Sequence, residues 1–442
     1  MEQVTIIGGG LAGCEAAWQL AQAGVPVRLF EMRPVRKTEA HQGDRLAELV
    51  CSNSFRSDNP NNAIGVLHRE LRRCGSLILE VGDENSVPAG DALAVDREKF
   101  AERITELMEN HPQITIHREE VTEIPEGDVI IATGPLTSPT LAAVITKLSG
   151  HDGMAFYDAI APIVDTESLN MDVIFAQSRY DKGDGADYLN CPMNQSQYED
   201  FVKALLASEK VPTKDFEKDV HYFPGCLPIE VIAEQGFETL RFGCMKPVGL
   251  NDPRSDENPY AVVQLRKENR EGTSYNMVGF QTKMKYPEQN RIFRMIPGME
   301  DVSFFRMGSV HRNTFINSPA LLNEWMGLRD TPRKRFAGQI TGVEGYVEST
   351  ACGLMVAWSI LAERRDAKLE SPPTVTALGA MLGHLRNCYS GSFQPQNVNF
   401  GLFPRLEKKM RKAERKVAYS ARAEKAHEQW LSDISSLLKP LN

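Results

Sequence analysis

The chain has 442 residues, of which 42% are hydrophobic and 25% charged, and a formal net charge of −9. This length predicts two or three domains, and the composition excludes disordered, collagen-like and coiled-coil proteins. No apolar stretch approaches the roughly 18 residues that a membrane span needs, and no signal-peptide pattern is seen, so we expect a cytoplasmic protein. The eight cysteines show no metal-ligand spacing, so neither a disulfide framework nor a metal site is predicted.

The first predicted elements form a β-α-β unit around a glycine-rich turn. An apolar strand over residues 4–7 runs into GGGLAG at 8–13, a helix follows to the stop at Gly24, and a second strand ends in Glu31. Such a turn lets a backbone approach a pyrophosphate, and an acidic residue at this spacing accepts from a ribose hydroxyl. The cofactor-binding candidates are Gly8, Gly9, Gly10, Leu11, Ala12, Gly13 and Glu31. FAD and NAD both fit this unit, and a purely structural glycine turn is the alternative.

Two later segments have features of the same site. Asp128 to Ile131 reads as a buried strand that ends in Thr133 and Gly134, although an ordinary parallel strand with a glycine stop is the alternative. Further on, a glycine-rich stretch with Gly342, Glu344 and Gly345 precedes an alanine-rich helix. The start of a helix offers free N–H groups to an oxygen-rich ligand. We expect the three segments to converge on one FAD.

The order of these segments predicts a nucleotide-binding domain interrupted by an insertion. We expect an α/β fold: a Rossmann-like FAD-binding domain in two parts, at 1–150 and 301–370, around a mixed α+β substrate domain at 151–300. In the insertion the sequences DVIFAQSRY, TLRFGCMKPVGL, YAVVQLRKE and YNMVGF are strand-like. The remainder, 371–442, is expected to be helical and basic.

The basic character of the C-terminal part is concentrated in one stretch. Residues 404–425 hold nine Lys or Arg residues against three Glu. A solvated helix is the plain interpretation, and the alternative is a face that contacts RNA phosphates, which the acidic background of the chain makes more notable.

Two cysteines stand out by their local sequence. Cys51 lies among Ser, Asn and Arg shortly after the second strand, and Cys226 lies between glycine and proline on a rigid turn. Cysteines in polar or Pro/Gly turns are more accessible than those in apolar helices, such as Cys14 and Cys352, which we expect to be small core residues.

The motifs GGGLAG, AELVCSNSFRSD, FPGCLPIE, RFGCMKPVGL, GSVHRNTFINSP and GQITGVEGY together resemble the TrmFO family. The resemblance covers nearly the whole chain. It implies a flavin- and folate-dependent tRNA methyltransferase that makes 5-methyluridine at position 54 of the T loop. The related GidA/MnmG flavoproteins share the FAD-binding fold but are not expected to carry the two cysteine motifs.

The resemblance also implies a reaction and roles for individual residues. Cys226 is expected to be the nucleophile that adds to carbon 6 of uracil, because carbon 5 is a poor nucleophile until a thiolate has added. Cys51 is expected to be a second functional thiol, as the base for the carbon-5 proton or as a guard of the flavin. His311 is expected to line the folate or flavin site, with a structural histidine as the alternative. The implied cofactor is FAD, with 5,10-methylenetetrahydrofolate and NADH or NADPH as co-substrates. The implied partners are tRNA, folate and a nicotinamide nucleotide, with no membrane and no obligatory protein partner.

Three other classes of function use part of the same sequence pattern. A small-molecule flavin oxidoreductase would need the FAD segments alone. A GidA-like modifier of the wobble uridine would need a larger helical C-terminal domain. A non-catalytic tRNA-binding protein would keep FAD for structure, and only the cysteine motifs distinguish it from an enzyme.

Overall fold

A computed structural model describes residues 2–38, 40–149, 154–183, 185–211, 227–255, 257–269, 271–387, 393–408 and 410–438. The first part of the chain is an alternation of strands and helices. In chain order the elements are β1 Val4–Ile7, α1 Leu11–Gln22, β2 Val27–Phe30, β3 Ser54–Ser57, α2 Ala63–Arg73, α3 Leu77–Glu84, β4 Ser86–Val87, β5 Ala92–Val95, α4 Arg97–Asn110, β6 Ile114–His117, β7 Val129–Ile131 and α5 Pro139–Ser149.

Four of these strands and one from the last third of the chain, β16 at Lys334–Phe336, form a parallel sheet. The strand order is β16-β7-β1-β2-β6. Strand β1 is buried at all four residues, as expected for a strand covered by helices on both faces. The chain moves outward from β1 through β2 to β6 and then returns to the other side of β1 with β7. Ligands of open α/β sheets bind at such a reversal, beyond the carboxyl ends of the strands.

The middle of the chain forms a second, antiparallel sheet. Its elements are β8 Met154–Ile160, β9 Ile163–Asp165, β10 Phe175–Ala176, β11 Tyr188–Met193, α6 Gln195–Leu206, α7 Ile229–Glu234, α8 Thr239–Phe242, β12 Ala261–Lys267, β13 Ser274–Met277, α9 Tyr286–Phe293 and β14 Phe304–Arg306. The order is β10-β11-β12-β13-β9-β14. This sheet and its helices bury their own apolar cluster, separate from that of the parallel sheet.

The strand predictions for this middle part are confirmed in two stretches and wrong in one. YAVVQLRKE and YNMVGF contain β12 and β13, while DVIFAQSRY contributes only the two-residue β10. The stretch TLRFGCMKPVGL was expected to be a strand, and instead it forms α8 followed by turns. Its Gly243, Pro247 and Gly249 interrupt any ladder of backbone hydrogen bonds, and Gly249 has a left-handed φ of +82°.

A two-stranded ribbon connects the two parts. Strand β8 pairs in antiparallel register with β15, Ser309–Phe315, from Met154 opposite Phe315 to Ile160 opposite Ser309. The chain enters the middle sheet along one strand and leaves it along the other. The remaining elements are α10 Ser318–Leu321, β16, α11 Tyr346–Arg364, α12 Ala377–Asn387 and α13 Lys412–Asp433. The structure thus shows an α/β nucleotide-binding fold with a mixed insertion, as the sequence predicts.

Helix α11 is the centre of the nucleotide-binding part and packs directly on α1. A side chain at Gly353 would place its Cβ 2.2 Å from the carbonyl oxygen of Ala12, and one at Gly13 would lie 1.9 Å from that of Gly8. Glycine at both positions lets α1 approach its two neighbours at backbone distance. Cys14 and Cys352, on these two helices, are buried, which confirms them as core residues.

The C-terminal helices are attached through one buried carboxylate, that of Glu70, and an aromatic contact. Glu70 of α2 accepts from the N–H groups of Ala377 and Leu378, each at 2.8 Å, and so caps the start of α12. Helix α13 packs on α2, with Trp430 against Trp358 of α11. Within the described ranges, no helix is long and apolar enough to cross a membrane.

Candidate active site: a glycine-lined cleft and a cysteine loop

The glycine turn after β1 has the geometry of a ligand cradle. Gly8 has a φ of +110°, and a side chain there would collide with the carbonyl of Ala132 at 2.4 Å. At Gly10, by contrast, a Cβ would meet no described atom within 4 Å beyond its chain neighbours. Gly10 therefore borders open space, where an atom group larger than a methyl can lie against the backbone.

This open space lies at the start of α1. Gly10 is the N-cap residue, without a side-chain cap, and Leu11 and Ala12 follow it and line the cleft together with Gly9. The first N–H groups of a helix have no partner within the helix and carry its positive dipole end. The cleft thus presents free donors to a negatively charged group, which is the requirement of a pyrophosphate.

Glu31 lies at the end of β2, on the floor of the same cleft, and is 5% exposed. One carboxylate oxygen accepts from the N–H of Gly9 at 3.0 Å, and the other accepts from the Arg33 Nε at 2.9 Å. Burial alone would raise the pKa of Glu31, but the hydrogen bonds and charge of Arg33 outweigh it and lower the pKa. Glu31 is therefore an ionised acceptor.

Arg33 is held in place and is not available to a 2′-phosphate. Its guanidinium also binds the Glu48 carboxylate at 2.8 Å and the carbonyl of Arg45 at 3.0 Å. The pair Glu31 and Arg33 hence matches an adenosine ribose with free hydroxyls.

The second predicted segment reaches the cleft from β7. Thr133 and Gly134 both line it, and Gly134 has a φ of +63° that lets the chain turn there. The Thr133 hydroxyl lies 2.6 Å from that of Thr137. The strand end therefore lies at the cleft, where the sequence places it.

The third segment also reaches the cleft, through neighbours of the residues selected from sequence. The lining residues are Gly338, Gln339, Tyr346 and Ser349. Gly342 is packed on Phe393, and Gly345 caps α11 with a φ of +116°. Glu344 is buried and accepts from the Gln339 side chain at 2.7 Å. Direct cofactor contacts of Gly342, Glu344 and Gly345 stay predictions.

Cys51 lies on a loop of residues 46–53, which we call the cysteine loop and which contacts the glycine turn. The N–H of Ala47 donates to the carbonyl of Gly9 at 2.8 Å, and Val50 lines the cleft. The N–H groups of Cys51 and Ser52 donate to the Tyr346 hydroxyl at 2.9 and 3.1 Å. The loop is thereby fixed between the glycine turn and the start of α11, with Cys51 half-buried.

Two arginines hold the carbonyl groups just before Cys51. Arg97 donates to the carbonyl of Leu49, and Arg306 donates to that of Val50 at 2.6 Å. Burial, and then the nearby charge of Arg97, lower the pKa of Arg306. The carboxylate of Glu268 lies 2.9 Å from Arg97. Glu268 offsets the charge of Arg97, so Arg306 supplies the uncompensated positive charge beside the cysteine loop.

The far end of the cysteine loop is bound to the middle sheet. Arg266 of β12 donates to the Ser52 hydroxyl at 2.7 Å and to the Asn53 side-chain oxygen at 3.1 Å. Asn53 is fully buried and donates to the carbonyl of Lys267 at 2.9 Å. The loop is thus braced by both parts of the protein.

These loop contacts were not predicted from sequence. Tyr346, Arg97 and Arg306 are distant from Cys51 along the chain and carry no motif of their own. The only signal was that Tyr346 ends the GQITGVEGY motif and precedes the predicted helix.

The remaining predicted site residues are Cys226 and His311. Cys226 lies outside the described residues. His311 is in β15, paired in register with Asp158, and its backbone alone is described. In the part of the chain that the structure describes, no group of three or more His, Cys, Asp or Glu residues could hold a metal ion.

Comparison with known proteins gives consistent results. The family model of glucose inhibited division protein A matches residues 3–368. The methylenetetrahydrofolate--tRNA-(uracil-5-)-methyltransferase TrmFO of Zymomonas mobilis is 58% identical over 439 residues, covering 99% of this chain and 98% of that protein. The Geobacter sulfurreducens protein of the same name is 57% identical, covering 98% and 99%.

Among solved structures, Aquifex aeolicus GidA in its form I crystal aligns with a TM-score of 0.67 at 15% identity. The alignment covers 99% of this chain and 77% of that one. At this identity the likeness shows a shared fold.

Proposed function

Because the chain belongs to the glucose inhibited division protein A family, and its TrmFO relatives match it along almost its full length, we propose that it is a methylenetetrahydrofolate-dependent tRNA (uracil-5-)-methyltransferase. The target is uridine 54 in the T loop, the carbon donor is 5,10-methylenetetrahydrofolate, and the electrons come from NADH or NADPH through FAD. The observation that carries the proposal is a cysteine loop fixed beside a dinucleotide cleft, in a chain that matches the TrmFO proteins along almost its full length.

The cleft fits the adenosine diphosphate half of FAD. Gly10 leaves the space that a pyrophosphate needs, and the first turn of α1 supplies the donors. Glu31 would accept from a ribose hydroxyl through Oε2, which takes one hydrogen bond, from Gly9, whereas Oε1 already accepts two from Arg33. Thr133, Gly134 and the start of α11 would border the remainder of the cofactor.

When bound, the flavin supplies the redox chemistry that turns the one-carbon unit of the folate into a methyl group. The protein must activate the uracil. The Cys226 thiolate would add to carbon 6, and the resulting enolate would attack the one-carbon unit through carbon 5, while the pi electrons between that carbon and its carrier nitrogen return to the nitrogen. Cys51 would then remove the carbon-5 proton, and the electron pair left behind would expel the nitrogen carrier and leave an exocyclic methylene on carbon 5. Addition of a hydride, drawn from the reduced flavin, would convert this methylene to the methyl group as the Cys226 thiolate leaves carbon 6 and the ring double bond is restored.

The surroundings of Cys51 suit a proton acceptor that has to stay in place. Tyr346 anchors the N–H of Cys51, and Arg97 and Arg306 anchor the two carbonyls before it. A loop held at three successive residues presents its thiol in a defined position, which proton transfer requires. The positive charge of Arg306, which no described carboxylate pairs with, also favours an anionic uracil oxygen or a phosphate at this place.

We further propose that the protein works in the cytoplasm on free tRNA, without an obligatory protein partner. The basic face of α13 is proposed as one contact for tRNA phosphates. Arg415 and Lys416 are exposed on it, and Lys416 reaches Asn62 next to α2 at 3.1 Å.

The proposal is tested by supplying labelled methylenetetrahydrofolate, NADPH and an unmodified tRNA transcript, without S-adenosylmethionine. We expect labelled 5-methyluridine at position 54 and none in a transcript with cytidine at that position. Oxidation of NADPH without label in the RNA would indicate a small-molecule oxidoreductase. Label at the wobble uridine would indicate the GidA-like activity, and tRNA binding without label a non-catalytic protein.

A further inference from the structure

An exposed aromatic surface lies on the middle part of the chain, away from the cleft residues. Phe242, Tyr180 and Val248 are 72%, 59% and 53% exposed. Phe242 ends α8 and Val248 follows in the same motif, RFGCMKPVGL. Tyr180 lies in a short 3-10 turn, Arg179–Asp181. We call this surface the aromatic platform: Tyr180, Phe242 and Val248, with Arg179, Arg241 and Lys246.

The platform is held by specific contacts. The Arg179 guanidinium donates to the carbonyls of Val248 and of Lys246, the latter at 2.8 Å. The N–H of Tyr180 donates to the carbonyl of Gly249 at 2.9 Å. A side chain at Gly249 would come within 2.7 Å of the Tyr180 ring. Glycine there allows the ring to lie flat on the backbone, with its other face toward solvent.

Cations are placed next to the exposed rings. The Arg241 guanidinium lies 5.4 Å from the Phe242 ring centre and 4.1 Å from that of Tyr260. Within the described residues, Lys246 makes no ion pair, and Arg179 bonds to carbonyl and amide oxygens only. Three carboxylates lie nearby: Glu238, which pairs with Arg241 at 3.5 Å, Glu199 near Tyr260, and Asp181. Arg179 and Lys246 are thus the cations of the platform that have no carboxylate partner among the described residues, on a chain of net charge −9.

The platform is close along the chain to the second cysteine motif. Helix α7 starts at Ile229, three residues after Cys226 in the sequence, and packs against α8, which carries Phe242. Chain connectivity therefore keeps Cys226 near α7, and we expect the nucleotides next to a uracil bound there to lie near the elements that follow in the chain. Rings interleaved with cations are the surface that unpaired nucleotides prefer, because bases stack on the rings and phosphates pair with the cations.

We propose that the aromatic platform binds unpaired bases of the tRNA loop, with Phe242 and Tyr180 as stacking surfaces and Lys246 as a phosphate contact. This inference rests on the proposed function and adds to it a substrate-binding surface outside the cleft. A protein partner or a second copy of the chain would use the apolar area without needing aromatic rings, which makes the alternatives separable.

The test compares Phe242→Ala, Phe242→Leu and Phe242→Tyr in methylation assays with the tRNA transcript. We expect Ala and Leu to raise the KM for tRNA about tenfold at nearly unchanged kcat, and Tyr to keep it near the wild-type value, since the loss of one base–aromatic stack corresponds to about a 5- to 150-fold change. Flavin content and the KM for folate should not change. Tyr286→Ala removes a ring of the same exposure, 59%, from α9 and is the matched control.

Lys246→Gln tests the electrostatic part. It should weaken tRNA binding and flatten the plot of log affinity against log salt by about one slope unit. An unchanged KM in Phe242→Ala, with active wild type, would overturn the platform alone, and a wild type without methyl transfer would overturn the proposed function with it. Two results would assign the surface to a protein contact and overturn the inference. One is a KM for tRNA that is as low in Phe242→Leu as in Phe242→Tyr, and the other is a changed oligomeric state at an unchanged KM for tRNA.

Discussion

The hydroxyl group of Tyr346 accepts a hydrogen bond from the backbone N–H of Cys51 at 2.9 Å. Tyr346 is the first residue of α11, and Cys51 lies on the cysteine loop, which is hydrogen-bonded to the glycine turn. One side chain thus joins the two segments that border the cleft. Burial raises the pKa of the Tyr346 hydroxyl, so it remains protonated and neutral at the pH of the reaction.

Replacing Tyr346 by Phe should release the cysteine loop. The N–H groups of Cys51 and Ser52 would lose their acceptor, and an unsatisfied buried N–H costs about 1–3 kcal/mol. We expect a lower free energy of unfolding in denaturant titrations and a kcat for methyl transfer reduced at least tenfold, because the thiol loses its fixed position. Full activity in Tyr346→Phe would contradict the anchoring role.

Tyr275→Phe is the control for this experiment. Tyr275 is buried in β13 and makes no hydrogen bond with another described residue through its hydroxyl group. Its replacement should change stability by a few tenths of a kcal/mol and leave kcat unaltered.

Two neighbouring glycines should respond differently to the same added methyl group. Gly10→Ala places a Cβ in open space, so the protein should fold normally and bind less FAD, and Gly10→Val should be almost free of flavin. Gly13→Ala places a Cβ 1.9 Å from the Gly8 carbonyl oxygen, so it should lower the melting temperature by many degrees. The measurements are flavin absorbance after denaturation and thermal unfolding, and a Gly10→Val protein with full flavin would contradict the cradle.

The stability of the C-terminal packing should depend on the protonation of His427. His427 is fully buried in α13, next to Cys74 at 3.6 Å, and burial, followed by the charge of Arg73, lowers its pKa to about 4. An unfolded histidine titrates near 6.5, so the stabilisation is complete above that pH and is lost as the pH falls toward 4. The loss amounts to about 3 kcal/mol.

The contribution of His427 is isolated by comparing wild type with His427→Gln. Burial raises the pKa of the nearby Glu70 to about 7, and its contribution has the opposite sign: it is complete below pH 4.5 and is lost as the pH rises through 7. The difference between the two unfolding curves should therefore decrease between pH 6.5 and pH 4. A constant difference over this range would exclude His427 as the titrating group.

Charge reversal on α13 tests the C-terminal contact with tRNA. The test is one variant that carries four substitutions, Arg411→Glu, Lys412→Glu, Arg415→Glu and Lys416→Glu. It should bind tRNA more weakly, and its plot of log affinity against log salt should be flatter by roughly one slope unit per lost phosphate contact. Flavin content should be preserved. The control is Lys368→Glu, at a residue whose side chain is 82% exposed. An unchanged tRNA affinity in the α13 variant would contradict the proposed contact and show that α13 is a solvent-exposed helix that does not bind tRNA.

The local features of the fold were predictable, and the contacts between distant segments were not. The roles of Gly8 and Gly13 follow from a turn and a close approach within one β-α-β unit, which a spacing pattern encodes. The partners of the cysteine loop, by contrast, come from α4, β14 and α11. Such contacts depend on how whole elements pack, and a single sequence carries no periodicity that reports them.

The same reason explains the error in the middle part. The residues before Gly243 have the apolar content of a strand, but the turn residues that follow decide the conformation. Phe242 thereby becomes an exposed ring on α8 instead of a core residue.

The central claim is that a Cys226 thiolate activates the uracil and that Cys51 acts afterwards. The most direct measurement is a denaturing gel of Cys51→Ala, Cys226→Ala and the double variant after incubation with tRNA, methylenetetrahydrofolate and NADPH. We predict a denaturant-stable protein–RNA species in Cys51→Ala that is absent in Cys226→Ala and in the double variant, with flavin bound in all three. A species that persists in Cys226→Ala and vanishes in Cys51→Ala would contradict this assignment and make Cys51 the nucleophile.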